Sequence, residues 1–260
     1  MELKELGNTG EMVPEIGLGT ASYSGGDEPL RRGIALGASH VDTAEIYGTE
    51  EAVGRAILGL RDQVFLATKV SPTHFRHDQV IDAAEGSLER LGTDRIDLYL
   101  LHWPNLEIPI GETMGAMDRL VADGKVRYIG VSNFSVAQLQ EAQAATSNPI
   151  VTDQVKYSLA SREIEADLLP YCQRNDITLT AYSPLSTVLG KAVARLATAL
   201  KSVAAASGKT EAQVALNWCT AHDGVIAIPR SSSLERTVQN CGASGWRLSD
   251  EHLAELDASA

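Results

Sequence analysis

The sequence predicts an α/β protein folded as a (β/α)8 TIM barrel with a short N-terminal β-hairpin. Three observations predict it. Eight short apolar runs are each followed by a stretch with helical periodicity. The runs are nearly unbroken rather than alternating, as expected of strands buried on both faces of a parallel sheet. The whole series fits within about 250 residues, the usual size of such a barrel. An open doubly wound sheet is the alternative that the same rhythm allows.

Taken in order, Leu3–Ile16 reads as the hairpin, turning at Gly7-Asn8-Thr9-Gly10 with polar and apolar residues alternating around it. Glu15–Thr20 is the first barrel strand, followed by a loop rich in Ser and Gly and a helix over Leu30–Leu36. His40–Thr43 and Glu50–Leu58 form the second strand and helix, and Val64–Lys69 the third strand. In the helix His77–Leu91, Val80, Ile81, Ala84, Leu88 and Leu91 share one face, Asp78 is a candidate cap and Gly92 a stop. The strand Arg95–His102 is an almost continuous apolar run, with a helix at Thr113–Ala122. Strands at Val126–Val131, Val151–Val155 and Ile177–Tyr182 alternate with helices at Val136–Ala144 and Glu163–Arg174. Two helical segments follow, about Gly190–Ala206 and Glu211–His222, the second opened by the capping box Thr210-Glu-Ala-Gln213. A strand at Val225–Ile228 and helices at Leu234–Cys241 and Asp250–Ala258 complete the series. No linker or low-complexity tract interrupts it, so one domain over residues 1–260 is expected.

Composition narrows the partners. The net charge is −12, from 22 Lys and Arg against 34 Asp and Glu, which argues against nucleic acid or an anionic membrane as a partner. No secretory signal and no membrane-spanning run is evident. Cys172, Cys219 and Cys241 are odd in number and widely spaced, which fits neither a disulfide framework nor a zinc site. A cytoplasmic protein with reduced thiols is the expectation, as a monomer.

In a barrel the chemistry sits at the C-terminal ends of the strands. Those ends deliver Thr20, Asp42, Lys69, His102, Ser132 with Asn133, Gln154, Tyr182 and Arg230. Lys69 at the end of a buried strand calls for a partner, and Asp42 is the natural one. Tyr47, five residues after Asp42, lies close enough in sequence for that pair to lower its phenol pKa, and His102 could orient a carbonyl oxygen. Each also has a plain structural reading: an ion pair, a loop aromatic, a core histidine. The run Gly17-Leu-Gly19-Thr-Ala-Ser22 nearly matches the dinucleotide fingerprint, but its third glycine is missing. Gly17 and Gly19 are read instead as points where the backbone approaches a neighbour.

With Gly17-Leu-Gly19-Thr20, Val41-Asp42-Thr43-Ala44, Tyr47-Gly48, Ala67-Thr68-Lys69, Leu101-His102-Trp103-Pro104, Gly130–Phe134, Ala181–Leu185 and Ile228–Ser231 with Arg236 and Asn240, the chain resembles the aldo-keto reductases from end to end. The resemblance implies a barrel that binds NADPH or NADP+, with NADH weaker, and that reduces aldehydes and ketones or runs the reverse oxidation. It implies Tyr47 as general acid, Asp42 and Lys69 as the pair that tunes it, and His102 as a hydrogen-bonding partner of the substrate carbonyl. Asp42 also falls among the cofactor contacts. Ser132, Asn133 and Gln154 are implied to hold the nicotinamide carboxamide, with Tyr182 stacked on the ring. Thr20 and the Ser183–Leu185 loop are implied to line the pyrophosphate path. Arg230, Ser231, Ser232 and Arg236 are implied to grip the 2′-phosphate, and Gln239 and Asn240 the adenine. No metal is called for. The short segment after Asp250–Ala258 leaves little room for a C-terminal lid, so an open pocket lined by Tyr23, Trp103 and Trp246 is expected to accept small carbonyl compounds. A non-enzymatic cofactor-binding module, like the potassium-channel β subunits of this fold, and a metal-dependent barrel hydrolase are the rival readings.

Overall fold

A computed structural model describes residues 1–186 and 194–260. Ten strands and ten α-helices are present among them. The antiparallel hairpin pairs β1 (Leu3–Glu5) with β2 (Met12–Pro14), and its turn uses left-handed glycines at Gly7 and Gly10. The barrel strands are β3 (Leu18–Gly19), β4 (His40–Asp42), β5 (Phe65–Val70), β6 (Ile96–Leu101), β7 (Val126–Ser132), β8 (Ile150–Lys156), β9 (Thr178–Tyr182) and β10 (Val225–Ala227). Each pairs in parallel with its sequence neighbour, β3 through β10. Bridges from Ile16 to Ala227 and from Gly19 to Arg230 join the first strand to the last. The expected barrel and hairpin are thus both present.

The glycines of the first strand have the role read for them. A Cβ on Gly17 would come within 2.8 Å of His40 O, and one on Gly19 within 2.8 Å of Ile228 O. The barrel interior is apolar below the polar rim: Phe65, Ala67, Leu98, Leu100 and Ile226 pack with Leu6 and Val13 of the hairpin. The hairpin therefore covers the N-terminal end of the barrel. Lys4 secures it there, its Nζ donating to Thr220 O, His222 O and Val225 O at 2.6–2.9 Å.

The helices are α1 (Glu28–Ala35), α2 (Glu50–Ile57), α3 (His77–Leu91), α4 (Ile110–Ala122), α5 (Val136–Ala144), α6 (Leu168–Arg174), α7 (Ala194–Ser207), α8 (Glu211–Ala221), α9 (Leu234–Cys241) and α10 (Asp250–Asp257). Three expectations need correction. Asp78 does not cap α3: Arg76 holds that position, and Asp78 sits in the first turn beside His77. The helix read over Glu163–Arg174 is broken into a 3-10 turn, Glu163–Ala166, and α6. Asp167 causes the break, because its carboxylate accepts from its neighbour Leu168 N and restarts the helix there. The first barrel strand is far shorter than Glu15–Thr20, since Glu15 and Ile16 are engaged in closing the sheet against Ala227. The expected start of a helix at Gly190 lies outside the described residues.

Candidate active site

The ends of successive strands surround one cavity of about 460 Å³ at the C-terminal mouth of the barrel. Asp42 closes β4, and Lys69 is the penultimate residue of β5. Lys69 is fully buried, and its Nζ donates to Asp42 Oδ1 at 2.6 Å and Thr43 O at 2.7 Å. The other Asp42 oxygen accepts from Gln154 Nε2 at 2.8 Å. Both oxygens of Asp42 are therefore engaged inside the protein, which leaves it poorly placed as a metal ligand.

Tyr47 projects from a 3-10 turn, Glu45–Tyr47, that Gly48 ends in the left-handed conformation (φ 65°). Glu45 pins this turn to the segment after β5: it accepts from Ser71 N at 2.9 Å and lies 2.5 Å from His74 Nδ1. The Tyr47 hydroxyl is thereby held 3.3 Å from His102 Nε2. Lys69 Nζ sits 5.1 Å from the centre of the Tyr47 ring.

The acidities of His102, Lys69 and Tyr47 are displaced. Burial brings the His102 imidazolium down to about 4, helped by the Lys69 charge and opposed by Asp42. Burial also lowers Lys69, and Asp42 works against it. Tyr47 goes the other way from the expectation. Burial pushes its phenol well above the ordinary value, and the negative charge of Asp42 and the neighbouring Tyr182 add to it. The sequence reading had the Asp42–Lys69 pair lowering this acidity constant; it left out burial, the largest cause, and the Asp42 charge itself acts upward.

Of the residues expected in the site, Thr20, Asp42, Tyr47, His102, Trp103, Ser132, Asn133, Gln154, Tyr182, Ser183, Leu185 and Arg230 line the cavity. Ser132 Oγ donates to Gln154 O, and Asn133 Nδ2 donates to Ser132 Oγ. Asn133 Oδ1 accepts from the Tyr182 hydroxyl at 3.0 Å. Ser231, Ser232, Arg236, Gln239 and Asn240 lie beyond the cavity wall, on the loop after β10 and on α9. Ser232 Oγ accepts from Ser24 N, and Arg230 Nη1 donates to Ser22 O, so the first loop leans on this segment.

Two expected pocket residues are elsewhere. The chain reverses at Ser22 (φ 54°), and Tyr23 turns inward among Leu18, Leu30 and Ile34, its hydroxyl donating to Gly26 O. Trp246 packs away from the mouth, its Nε1 donating to Gly242 O and its carbonyl accepting from Asn217. The open apolar wall is instead Trp103 and Ile46, 48% and 58% exposed. Ile46, missed in the sequence, did carry a signal: a large apolar residue in a turn between Glu45 and Tyr47. Ile228 and Pro229, also in the wall, stand in the run Ile228–Ser231 that carries the resemblance, whereas Ala21 and Ser186 carried no signal.

Comparison with known proteins places this geometry. The model of the Aldo/keto reductase family matches residues 15–260. The methylglyoxal reductase YeaE of Escherichia coli is 41% identical, over 99% of this chain and 95% of that protein. The glyoxal reductase of Bacillus subtilis is 34% identical, over 96% of this chain and 90% of that one. Among solved structures, the thermostable aldo-keto reductase Tm1743 in complex with the inhibitor epalrestat superposes with a TM-score of 0.94, at 42% identity over the whole of both chains. An aldo/keto reductase from Klebsiella pneumoniae in complex with NADP and acetate gives 0.87 at 45% identity, covering 95% of this chain and 91% of that one.

Proposed function

The chain belongs to the aldo/keto reductase family, and from that premise we propose that it reduces small 2-oxoaldehydes and related carbonyl compounds with NADPH, Tyr47 supplying the proton. The observation that carries the reading is the approach of the Tyr47 hydroxyl to His102 Nε2, 3.3 Å apart at the cavity wall. One carbonyl oxygen can meet both.

The residues present fit a nicotinamide dinucleotide. Gln154 commits its amide nitrogen to Asp42, which leaves its oxygen to accept from a carboxamide. The Ser132 hydroxyl and the Asn133 amide stand beside it, and the ring of Tyr182 forms part of the same wall. At the far end, Arg230 and Arg236 are exposed next to the hydroxyls of Ser231 and Ser232. Guanidinium groups suit a phosphate because their donors form a planar fork. Ser183, Leu185 and Thr20 line the same cavity and would carry the pyrophosphate. When bound, the nicotinamide supplies a hydride to the carbonyl carbon.

The protein supplies the rest. Neutral His102 and Tyr47 hold the carbonyl oxygen as negative charge grows on it, a contribution of a few kcal/mol in such sites. Tyr47 remains a phenol at neutral pH, so its proton is in place. An alkoxide is a stronger base than a phenolate, so the transfer is favourable even from an acid that burial has weakened. The nearby Lys69 ammonium then stabilises the phenolate. Trp103 and Ile46 offer an apolar wall to a short carbon chain. Purified protein mixed with NADPH and methylglyoxal should consume NADPH absorbance. Cofactor binding without turnover across a panel of aldehydes refutes the enzymatic reading.

A further inference from the structure

Asp153 is wholly buried, and neither of its carboxyl oxygens makes a hydrogen bond among the described residues. Its neighbours on β8, Thr152 and Gln154, turn their side chains to Thr180 Oγ1 and Asp42 Oδ2. Alternation along a strand therefore sends Asp153 to the opposite face, behind the sheet. The groups that act on it there are the backbone N–H of Phe134 and of Asn133, and it in turn acts on the Cys172 thiol of α6. The Asn133 N–H is already committed to Gln154 O at 3.0 Å, whereas the Phe134 N–H has no other acceptor among the described residues. A buried acid without a partner thus faces a buried donor without one. They meet at the turn that holds Asn133 in a left-handed conformation, φ 64°, unusual for a residue with a side chain.

We infer that Asp153 is a positioning residue: its carboxyl anchors the Asn133–Phe134 turn from behind the sheet, and so sets the amides of Asn133 and Gln154 that face the cofactor. The inference rests on the reading of those amides as nicotinamide contacts. Asp153 touches neither cofactor nor substrate. With no cation beside it among the described residues, burial pushes its carboxyl pKa up to about 8, against the pull of the two N–H groups. The Cys172 thiol facing it is pushed up to about 12 and stays neutral over this range. Around neutral pH Asp153 is therefore an uncharged acid. Once ionised, it has no counter-charge among the described residues, and the turn must shift to admit water. NADPH binding weakens as pH rises through that value.

The test is the NADPH dissociation constant, read by cofactor fluorescence from pH 7 to pH 9, around the value of about 8. Lys4, lowered to about 8, titrates over the same range at the other end of the barrel, so each pH is compared between wild type and Asp153→Asn. The expected result is a rising constant for wild type and a flat one for Asp153→Asn, which keeps the acceptor but cannot ionise. Asp153→Val, which removes the acceptor, should weaken NADPH at neutral pH by about tenfold or more, as small displacements near a site do. Identical pH profiles for wild type and Asp153→Asn overturn the inference, as does normal NADPH affinity in Asp153→Val. If Asp153→Val does not fold, the Asp153→Asn profile decides alone. A purely structural role lowers the melting temperature of both variants and leaves the profiles parallel. Wild-type protein that binds no NADPH at any pH overturns the proposed function itself, and this inference with it.

Discussion

The Tyr47 hydroxyl and His102 Nε2 lie 3.3 Å apart with their rings crossed at 78°. Each comes from a different strand end, and neither is placed by its own segment alone. Tyr47 is held by the Glu45 carboxylate on the segment after β5, and His102 follows β6, its N–H paired with Val70 O. The pair is therefore a product of barrel closure, and its chemistry can be separated from the binding surface beside it.

Tyr47→Phe removes the hydroxyl and keeps the ring. NADPH affinity should stay nearly unchanged while kcat falls by roughly two orders of magnitude or more, the usual weight of a placed proton donor. Stopped-flow turnover with fluorescence titration of the cofactor measures both. A near-normal rate in this variant rejects Tyr47 as the acid.

The Asp42–Lys69 pair predicts a split between stability and activity. Lys69→Met leaves the Asp42 carboxylate buried without its counter-charge and should cost about 3–5 kcal/mol in urea unfolding. Adding Asp42→Asn removes the stranded charge and should restore much of that loss. Activity should stay low in the double variant, because the ammonium beside Tyr47 is still missing. Recovery of both together argues that the pair is structural only.

Much of this was legible in the sequence, for identifiable reasons. The strand–helix rhythm follows from runs buried on both faces, and α3, α5 and α9 occupy the expected spans, His77–Leu91, Val136–Ala144 and Leu234–Cys241. Asp42, Lys69 and His102 could be brought together because each stands at or within one residue of the end of a strand of one barrel. What the sequence could not convey is direction. Tyr23 and Trp246 were expected at the mouth, but a reversal at Ser22 turns one inward and local hydrogen bonds hold the other elsewhere. The acidity of Tyr47 depends on a sum of charges and burial, and the sequence suggested the Asp42–Lys69 pair but not the burial that outweighs it. Asp153 stands next to Gln154 in the chain, and only the pleat of the assembled sheet sends it to the other face.

Cofactor selectivity should rest on the exposed guanidiniums. Arg236 makes no ion pair among the described residues, so its removal leaves no stranded partner. Arg236→Ala should weaken NADPH by about tenfold to a hundredfold, the worth of a hydrogen bond to a charged group, and NADH hardly at all. Equal losses for both cofactors place the 2′-phosphate elsewhere.

The dependence of stability on pH should have a maximum near 6.5, with different residues responsible on its two sides. His40 and His102 are both lowered from 6.5 to about 4 by burial, and both His40 nitrogens lack partners among the described residues. The unfolded chain protonates them first, so their stabilisation is fully present above about 6.5 and is lost as pH falls toward 4. Asp153 has the opposite sign: it is raised from 3.8 to about 8, so its contribution is lost as pH rises between those values. Between about 4 and 6.5 two histidines oppose one carboxyl, and stability climbs with pH; between about 6.5 and 8 Asp153 acts alone among these three, and it declines. Melting temperatures across this range should show that dome. His40→Leu should flatten the acid side and Asp153→Asn the alkaline side, each leaving the other limb in place. A wild-type curve that rises monotonically to pH 8 shows that Asp153 is ionised in the folded protein and contradicts its role as an uncharged anchor of the turn.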